Sequence, residues 1–316
     1  MDSAGALTRA VERFAADHLD GHRQVCVGLS GGPDSLALTA AAVRAGFEVR
    51  ALVVDHRLQH GSAHVADAAA EAARGLGARA QVIEVSVGTA GGMEAAARTA
   101  RYAALEEARD GWPVLLGHTA DDQAETVLLG LARGSGARSI AGMRAWSAPW
   151  GRPFLGVRRA QTVGACTELG LAPHADAHNR DPRFTRVRLR SEVLPLLDDV
   201  VHGGVVEALC RTADALRADT DALDALAEEY HRAARTDAGL AIERVRDLAA
   251  AVRTRVIRRW LLDVGATEPT SRVIGAVDAL VVDWHGQGGV AVGGDGGSRR
   301  EVARVGDVLT VRDSPR

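Results

Sequence analysis

Six residues near the N-terminus, Ser30-Gly31-Gly32-Pro33-Asp34-Ser35, have the makings of an anion-binding loop. Adjacent glycines let the backbone approach an oxyanion closely, and a helix that follows aims unsatisfied N–H groups at it. The Ser30 and Ser35 hydroxyls can donate to the same oxygens. Asp34 is the odd member, because a carboxylate repels phosphate unless a cation lies between them. That makes it a candidate Mg²⁺ ligand. Gly-Gly-Pro alone would be an ordinary turn. The string is neither a Walker loop, since GK[ST] is missing, nor the dinucleotide G-x-G-x-x-G.

A second group gathers at His118, Asp121, Asp122 and Glu125. Asp122 and Glu125 are spaced i, i+3 and share a helix face. Acids at a helix start are also what capping and the macrodipole select, a reading that accounts for one of them better than for all three. A third group is Asp55-His56, and Asp55 could hold metal or close a turn. From Arg133 to Arg190 there are 11 arginines against three acids, Glu168, Asp176 and Asp181. On a chain of net charge −3 this is a candidate phosphate-backbone footprint, or else a solvated face.

Residues 24–30, 48–56, 79–87 and 113–119 read as short apolar strands. Helical stretches fall at about 34–45, 62–76, 93–109 and 121–131. Such alternation builds a parallel sheet covered on both faces, with ligands bound beyond the carboxyl ends of its strands. All three groups of chemical residues follow a strand end. The expected class is therefore α/β, a doubly wound parallel sheet, followed by a smaller helical domain and a short β appendage. The expected boundaries are 1–200 for the catalytic domain, 204–285 for the helical one, and 286–316 for the appendage, which carries two strands around Gly306-Asp307.

Composition narrows the chemistry. A hydrophobic share of 47% and a charged share of 25% describe an ordinary globular chain of 316 residues. The sequence contains no lysine, so arginine, backbone amides and metal must do any phosphate clamping. Cys26, Cys166 and Cys210 are far apart, which argues against a disulfide framework or a cysteine-rich cluster, and Cys26 is expected to be inert within a strand. His174, His178 and His202 lack metal-ligand spacing. The N-terminus reads as an amphipathic helix with acids throughout, unlike a signal peptide, and no apolar run is long enough for a membrane span. A cytoplasmic protein with no membrane partner is expected.

Several motifs occur together in one order: SGGPDS, Val54-Asp55-His56, Ala97-Arg98-x-x-Arg101-Tyr102, and His118-x-x-Asp121-Asp122-Gln123-Ala124-Glu125-Thr126. They continue with Arg133-Gly134-Ser135-Gly136, Gly142-Met143, Arg152-Pro153, and Arg186-x-Arg188-Leu189-Arg190 ahead of Leu194-Pro195. In this the chain resembles the PP-loop ATP pyrophosphatases and, within them, the tRNA(Ile)-lysidine synthetases. It departs from them at Thr119, where a second histidine is common, at Gln59 and Val187, and in a reduced C-terminus.

The resemblance implies a ligase that uses ATP and Mg²⁺ to adenylate the wobble cytidine of an isoleucine tRNA, then joins free lysine to carbon 2. It implies ATP binding by Ser30, Gly31, Gly32, Pro33, Asp34, Ser35, Asp55 and His56. Asp34, Arg98 and His118 would be catalytic, although Arg98 could equally pair with Glu94 on its helix. Asp122 and Glu125 would bind lysine, and Arg133, Ser135, Arg152, Arg186 and Arg190 would grip the tRNA. Trp146 and Trp150 could stack bases or pack locally. A homodimer is left open. A thiolase of the same superfamily would need sulfur-carrying cysteines, which a chain without CxxC does not offer.

Overall fold

The computed structural model describes residues 2–57, 61–86, 93–134, 136–174, 181–267, 269–293 and 299–314. The chain divides into two compact units, 1–214 and 215–316.

Unit 1 is built on a sheet with strand order β3-β2-β1-β4-β6-β5. Its strands are β1 (Gln24–Gly28), β2 (Glu48–Asp55), β3 (Arg79–Glu84), β4 (Val114–Leu116), β5 (Trp146–Ser147) and β6 (Trp150–Gly151). All neighbours pair parallel except β5 with β6. From β1 the chain steps outward through β2 to β3, then returns to place β4 on the other side of β1. The order reverses between β1 and β4, and a crevice is expected beyond their carboxyl ends.

The helices of this unit are α1 (Ser3–His18), α2 (Pro33–Arg44), α3 (Ser62–Gly75), α4 (Met93–Ala108), α5 (Ala120–Ala132), α6 (Ala137–Ile140), α7 (Arg159–Glu168), α8 (Thr185–Arg188) and α9 (Leu194–Val200). Val25 and Val27 of β1 pack with Leu7, Val11 and Phe14 of α1 and with Leu36 and Leu38 of α2. Cys26, pointing the opposite way, packs with Leu52, Leu105 of α4, Val114 and Leu116. Burial on both faces is why β1 reads as a continuous apolar run. The doubly wound α/β class expected from the sequence is what the chain adopts. The four expected strands and the four helices that accompany them are all present, although β4 spans three residues where seven were anticipated.

Pro33 at the first turn of α2 suits a position whose N–H has no intrahelical partner anyway. Thr119 caps α5: its hydroxyl accepts the Asp122 N–H, and the Asp122 carboxylate accepts the Thr119 N–H, a capping box with Asp in the third position. Both devices fix a helix start directly behind a strand end. They lie side by side because Gly117 lets the chain leaving β4 touch the phosphate-type loop. A Cβ there would stand 3.0 Å from the Asp34 carbonyl and 3.1 Å from the Ser35 nitrogen.

The division between the units falls within α10 (Val205–Ala234). Unit 2 contains β7 (Arg235–Thr236), β8 (Gly239–Ala241), α11 (Ala250–Asp263), α12 (Ser271–Val282), β9 (Val290–Ala291), β10 (Arg299–Val305) and β11 (Val308–Ser314). β10 and β11 form the hairpin expected around Gly306-Asp307. They belong to a five-stranded antiparallel sheet, order β7-β8-β11-β10-β9, so two strands come from the stretch read as helical. The segment set apart after 286 shares one core with the helices: Val302 and Leu309 pack with Trp260, Ile257 and Leu280.

Gly117→Ala is expected to lower unfolding stability by about 1–3 kcal/mol in urea titrations, because backbone on the far side cannot yield as a flexible side chain would. Gly75→Ala, with open space around its Cβ, is the control. Equal midpoints for both variants would mean that the strand end and the loop are not held against each other.

Candidate active site

The loop Ser30–Ser35 closes on itself through its two hydroxyls. The Ser30 N–H donates to Ser35 Oγ at 3.2 Å, and Ser35 Oγ donates to the Gly32 carbonyl at 3.0 Å. Gly31 takes φ +80°, a conformation that disfavours a Cβ, and its carbonyl accepts the His174 N–H at 2.9 Å.

Asp34, at the start of α2, is mostly buried. Its Oδ2 accepts from Arg159 Nε at 3.0 Å, and its Oδ1 accepts from the Thr162 hydroxyl. Burial pushes its pKa above the ordinary carboxylate value, against the pull of Arg159 and Thr162. The same Arg159 donates through Nη2 to Asp122 Oδ1 at 2.7 Å. Burial alone would raise Asp122, but Arg159 and the Thr119 hydrogen bonds outweigh it and hold the carboxylate below its usual range. Arg159 thus links the glycine loop to the capped helix α5. Its third nitrogen, Nη1, is buried and has no hydrogen-bond partner.

Asp121 ties the start of α7 to the same place. Its carboxylate accepts from Arg158 Nε and Nη2 at 3.2 and 3.1 Å and from the Arg159 backbone N–H at 2.7 Å. Glu125, one turn further along α5, is 0% exposed. Arg190 Nε donates to its Oε1 at 2.7 Å, and Arg186 Nη1 reaches Oε2 at 3.5 Å. Arg190 Nη2 also stands 3.5 Å from Asp122 Oδ1. One guanidinium therefore occupies a seat for a cation between Asp122 and Glu125. Four guanidiniums interlock here with five carboxylates, the fifth being Glu207, which accepts from Arg158 Nη1 at 2.7 Å.

A second cluster borders it. The His118 ring is buried, its Nδ1 is without a hydrogen-bond partner, and burial lowers its pKa to about 4, with Asp122 opposing the fall and Arg152, Arg101 and Arg98 adding to it. The ring is neutral at physiological pH. Arg98 and Arg101 lie over the Tyr102 ring at 5.3 and 5.6 Å, and Tyr102 meets Trp150 edge-on at 4.7 Å. His56 Nδ1, Arg101 Nε, Tyr102 Oη and Arg152 Nε are further buried polar atoms without partners. Orphaned groups of this kind concentrated at one strand-end crevice point to a ligand that completes them.

Several expected site residues are thus neighbours: Asp34, Asp122, Glu125, Arg186 and Arg190 in one ion-paired chain, and His118, Arg98 and Arg152 beside it. Asp55 is buried and accepts the Arg57 N–H at 2.9 Å. Arg133 is exposed, whereas Arg186 and Arg190 turn inward to Glu125. Ser135 and Gln59 lie outside the described residues. Trp146 and Trp150 pack locally: Trp146 stacks beside His18, centroids 6.4 Å apart. Cys26 is buried with its thiol pushed up to about 11, as an inert cysteine should be.

Arg158, Arg159 and Thr162 were not singled out from the sequence. Their signal was faint, two more arginines within an arginine-rich stretch, although a helix beginning Arg-Arg is unusual where the macrodipole favours acids. Gln123 was quoted only as part of a motif. It is buried, and its amide bonds both the Met143 N–H (2.8 Å) and carbonyl (3.0 Å), fixing the Gly142-Met143 loop onto α5.

Comparison with known proteins agrees with this architecture. Residues 4–197 match the PP-loop domain family, and residues 240–307 match the TilS substrate binding domain. A tRNA(Ile)-lysidine synthase from Nocardia farcinica is 61% identical, over 98% of each chain. One from Mycobacterium tuberculosis strain H37Rv is 58% identical over 100% of this chain and 99% of its own. Among solved structures, a U34-tRNA thiolase from Methanococcus maripaludis superposes with a TM-score of 0.55, covering 68% of this chain and 79% of that one at 18% identity, a likeness of fold. A chain that carries both domains, and that matches such relatives from end to end, belongs to the tRNA(Ile)-lysidine synthase family.

Proposed function

We propose that this chain ligates free lysine to carbon 2 of the wobble cytidine of an isoleucine tRNA, using ATP and releasing AMP and pyrophosphate. In the first step the oxygen on carbon 2 attacks the α-phosphorus, and the bond to the β-phosphate oxygen breaks. In the second, a lysine amine attacks carbon 2, and AMP leaves with that oxygen. The observation that carries the reading is the Asp34–Arg159–Asp122 link, which joins an anion-binding loop to a seat for a cation.

Loop amides and the Ser30 and Ser35 hydroxyls, with Gly31, Gly32 and Pro33 shaping the turn, receive the phosphates, and Asp55 and His56 border the nucleoside. Asp34 fits Mg²⁺ through lone pairs left free by Arg159 and Thr162. Among the described residues no three acids, imidazoles or thiolates converge as a metal cage, so phosphate oxygens and water would supply the other ligands, as Mg²⁺ prefers. Mg²⁺ held there would neutralise phosphate charge, and exposed Arg98 would add to that effect. Neutral His118 can accept the proton that the amine nitrogen sheds as it bonds to carbon 2.

Lysine's ammonium takes the seat between Asp122 and Glu125 that Arg190 holds, and the released guanidinium turns to RNA. Arg186 and Arg190 are 39% and 33% exposed, which leaves donors for phosphate in addition to those on Glu125. Arg133 and Arg152, with Ser135, extend the RNA-facing set. A cytoplasmic location suits this substrate. Among the described residues no helix is long and apolar enough to cross a membrane.

The deciding experiment is mass spectrometry of nucleosides from tRNA incubated with the protein, ATP and labelled lysine. The expected product is a cytidine heavier by lysine less one water, formed only on a tRNA with a wobble cytidine. Sulfur in the base, or label on the terminal ribose alone, would refute the ligase reading.

Because His118 loses its charge near pH 4, the rise in rate between about pH 6 and 8 should come from the substrate amine. His118→Gln is expected to lower kcat about 10²-fold or more while keeping that rise. A flat profile in the variant would assign the titration to His118 instead.

Arg190→Ala leaves the buried Glu125 short of a partner, a loss of about 3–5 kcal/mol in comparable sites. Free lysine should restore part of it, raising Tm more in the variant than in the wild type. The slope of tRNA affinity against salt should fall by roughly 0.7–0.9. If lysine stabilises neither protein, the seat is not a lysine site.

A further inference from the structure

Arg159 has donors to spare. Its Nε serves Asp34 and its Nη2 serves Asp122, so one edge of the guanidinium faces two carboxylates. Nη1 lies buried beyond them with no partner. A guanidinium has five N–H groups in a planar fork, and the end carrying Nη1 can take a planar anion with two parallel hydrogen bonds. This end also borders the cation seat, because Asp122 Oδ1 is within reach of both Arg159 Nη2 (2.7 Å) and Arg190 Nη2 (3.5 Å).

We infer that Arg159 reads the carboxylate of the amino-acid co-substrate, so that the site selects a zwitterion over a bare amine. This rests on the ligase reading above. An amino acid presents an ammonium and a carboxylate on one carbon. The site presents an acid and a guanidinium that share one hydrogen bond, the complementary pair. A phosphate oxygen could meet the same donors, but its higher charge would lie against Asp34 and Asp122 across the guanidinium. A carboxylate that brings its own ammonium adds no net charge to the assembly. Arg159 is held for this by more than its side chain, since the Asp121 carboxylate accepts its backbone N–H at 2.7 Å.

The test compares lysine with lysinamide and cadaverine, which keep the amines and lack the carboxylate. The full-length protein is supplied with ATP, Mg²⁺ and tRNA bearing a wobble cytidine. The wild type should show a KM for either analogue about 10- to 100-fold above that for lysine, the worth of a charge-assisted hydrogen bond. In Arg159→Gln the KM for lysine should rise to meet those of the analogues, which should themselves change less than 3-fold (about 0.6 kcal/mol). Arg159→Lys should recover part of the preference, since a point charge replaces the fork. Wild-type use of cadaverine as readily as lysine overturns the inference, whether or not the variants fold. So does an Arg159→Gln enzyme that keeps its preference for lysine while its KM for ATP rises, which would give Nη1 to phosphate. Incorporation of no amine at all by the wild type would overturn the ligase reading, and this inference with it.

Discussion

A carboxylate taken out of water needs a cation close at hand, and Asp34 finds one in Arg159, 125 residues further along the chain. The penalty for burying each ion is several kcal/mol, so such pairs are poor sources of stability and are retained for what they position. Here the pair positions a great deal. Asp34 stands in the loop after β1, Asp122 in the helix after β4, and Arg159 on the helix that packs beside α1 and α2. Without the guanidinium, two partly buried acids would face each other across the switch point of the sheet. With it, the phosphate-type loop and the acidic helix start are locked in one register.

The same logic extends outward. Asp121 and Asp122 hold Arg158 and Arg159, Gln123 holds the Gly142-Met143 loop, and Glu125 holds Arg190 and Arg186, so four polar positions of α5 anchor three segments. An acidic helix start is easily read as a capping device, and Asp122 is one. The capping box uses only its Oδ2, however, and leaves Oδ1 for arginine. Substrates entering a site of this kind do not fill an empty charge field. They exchange with counter-ions already present, so affinity reports a difference between two sets of hydrogen bonds.

The parts of this arrangement that were legible in the sequence are the local ones. β1 is a Val-Cys-Val run and β2 a run of Val, Leu and Ala, both buried on both faces, and the glycine loop is a contiguous string, so each could be read within a window of ten residues. The partnership of Arg159 with Asp34 could not, because it exists only once α7 has folded back on α2. Nothing distinguishes that arginine locally from its neighbours in a chain where arginine is the sole strong base. β7 and β8 were missed for a related reason. They total five residues between long helices, too short for any period to show, and they are strands only because β11 pairs with β8. The inward turn of Arg186 and Arg190 was hidden as well, since charge counting finds an arginine-rich stretch without saying which guanidiniums are already engaged.

The absence of lysine from the chain has a chemical consequence at the site. Every fixed cation around Asp34, Asp121, Asp122 and Glu125 is an arginine, which stays charged throughout the range in which proteins work. The acids are therefore held by partners that do not titrate, and His118 is kept neutral by burial among Arg98, Arg101 and Arg152. A primary amine is different in kind: compact, strongly hydrated, and able to lose its proton when taken out of water. In the proposed reaction the only primary amines to enter this site belong to the substrate amino acid. Desolvation beside a neutral imidazole can then favour the free amine of the nucleophile, without a competing lysine of the protein drawing on the same base.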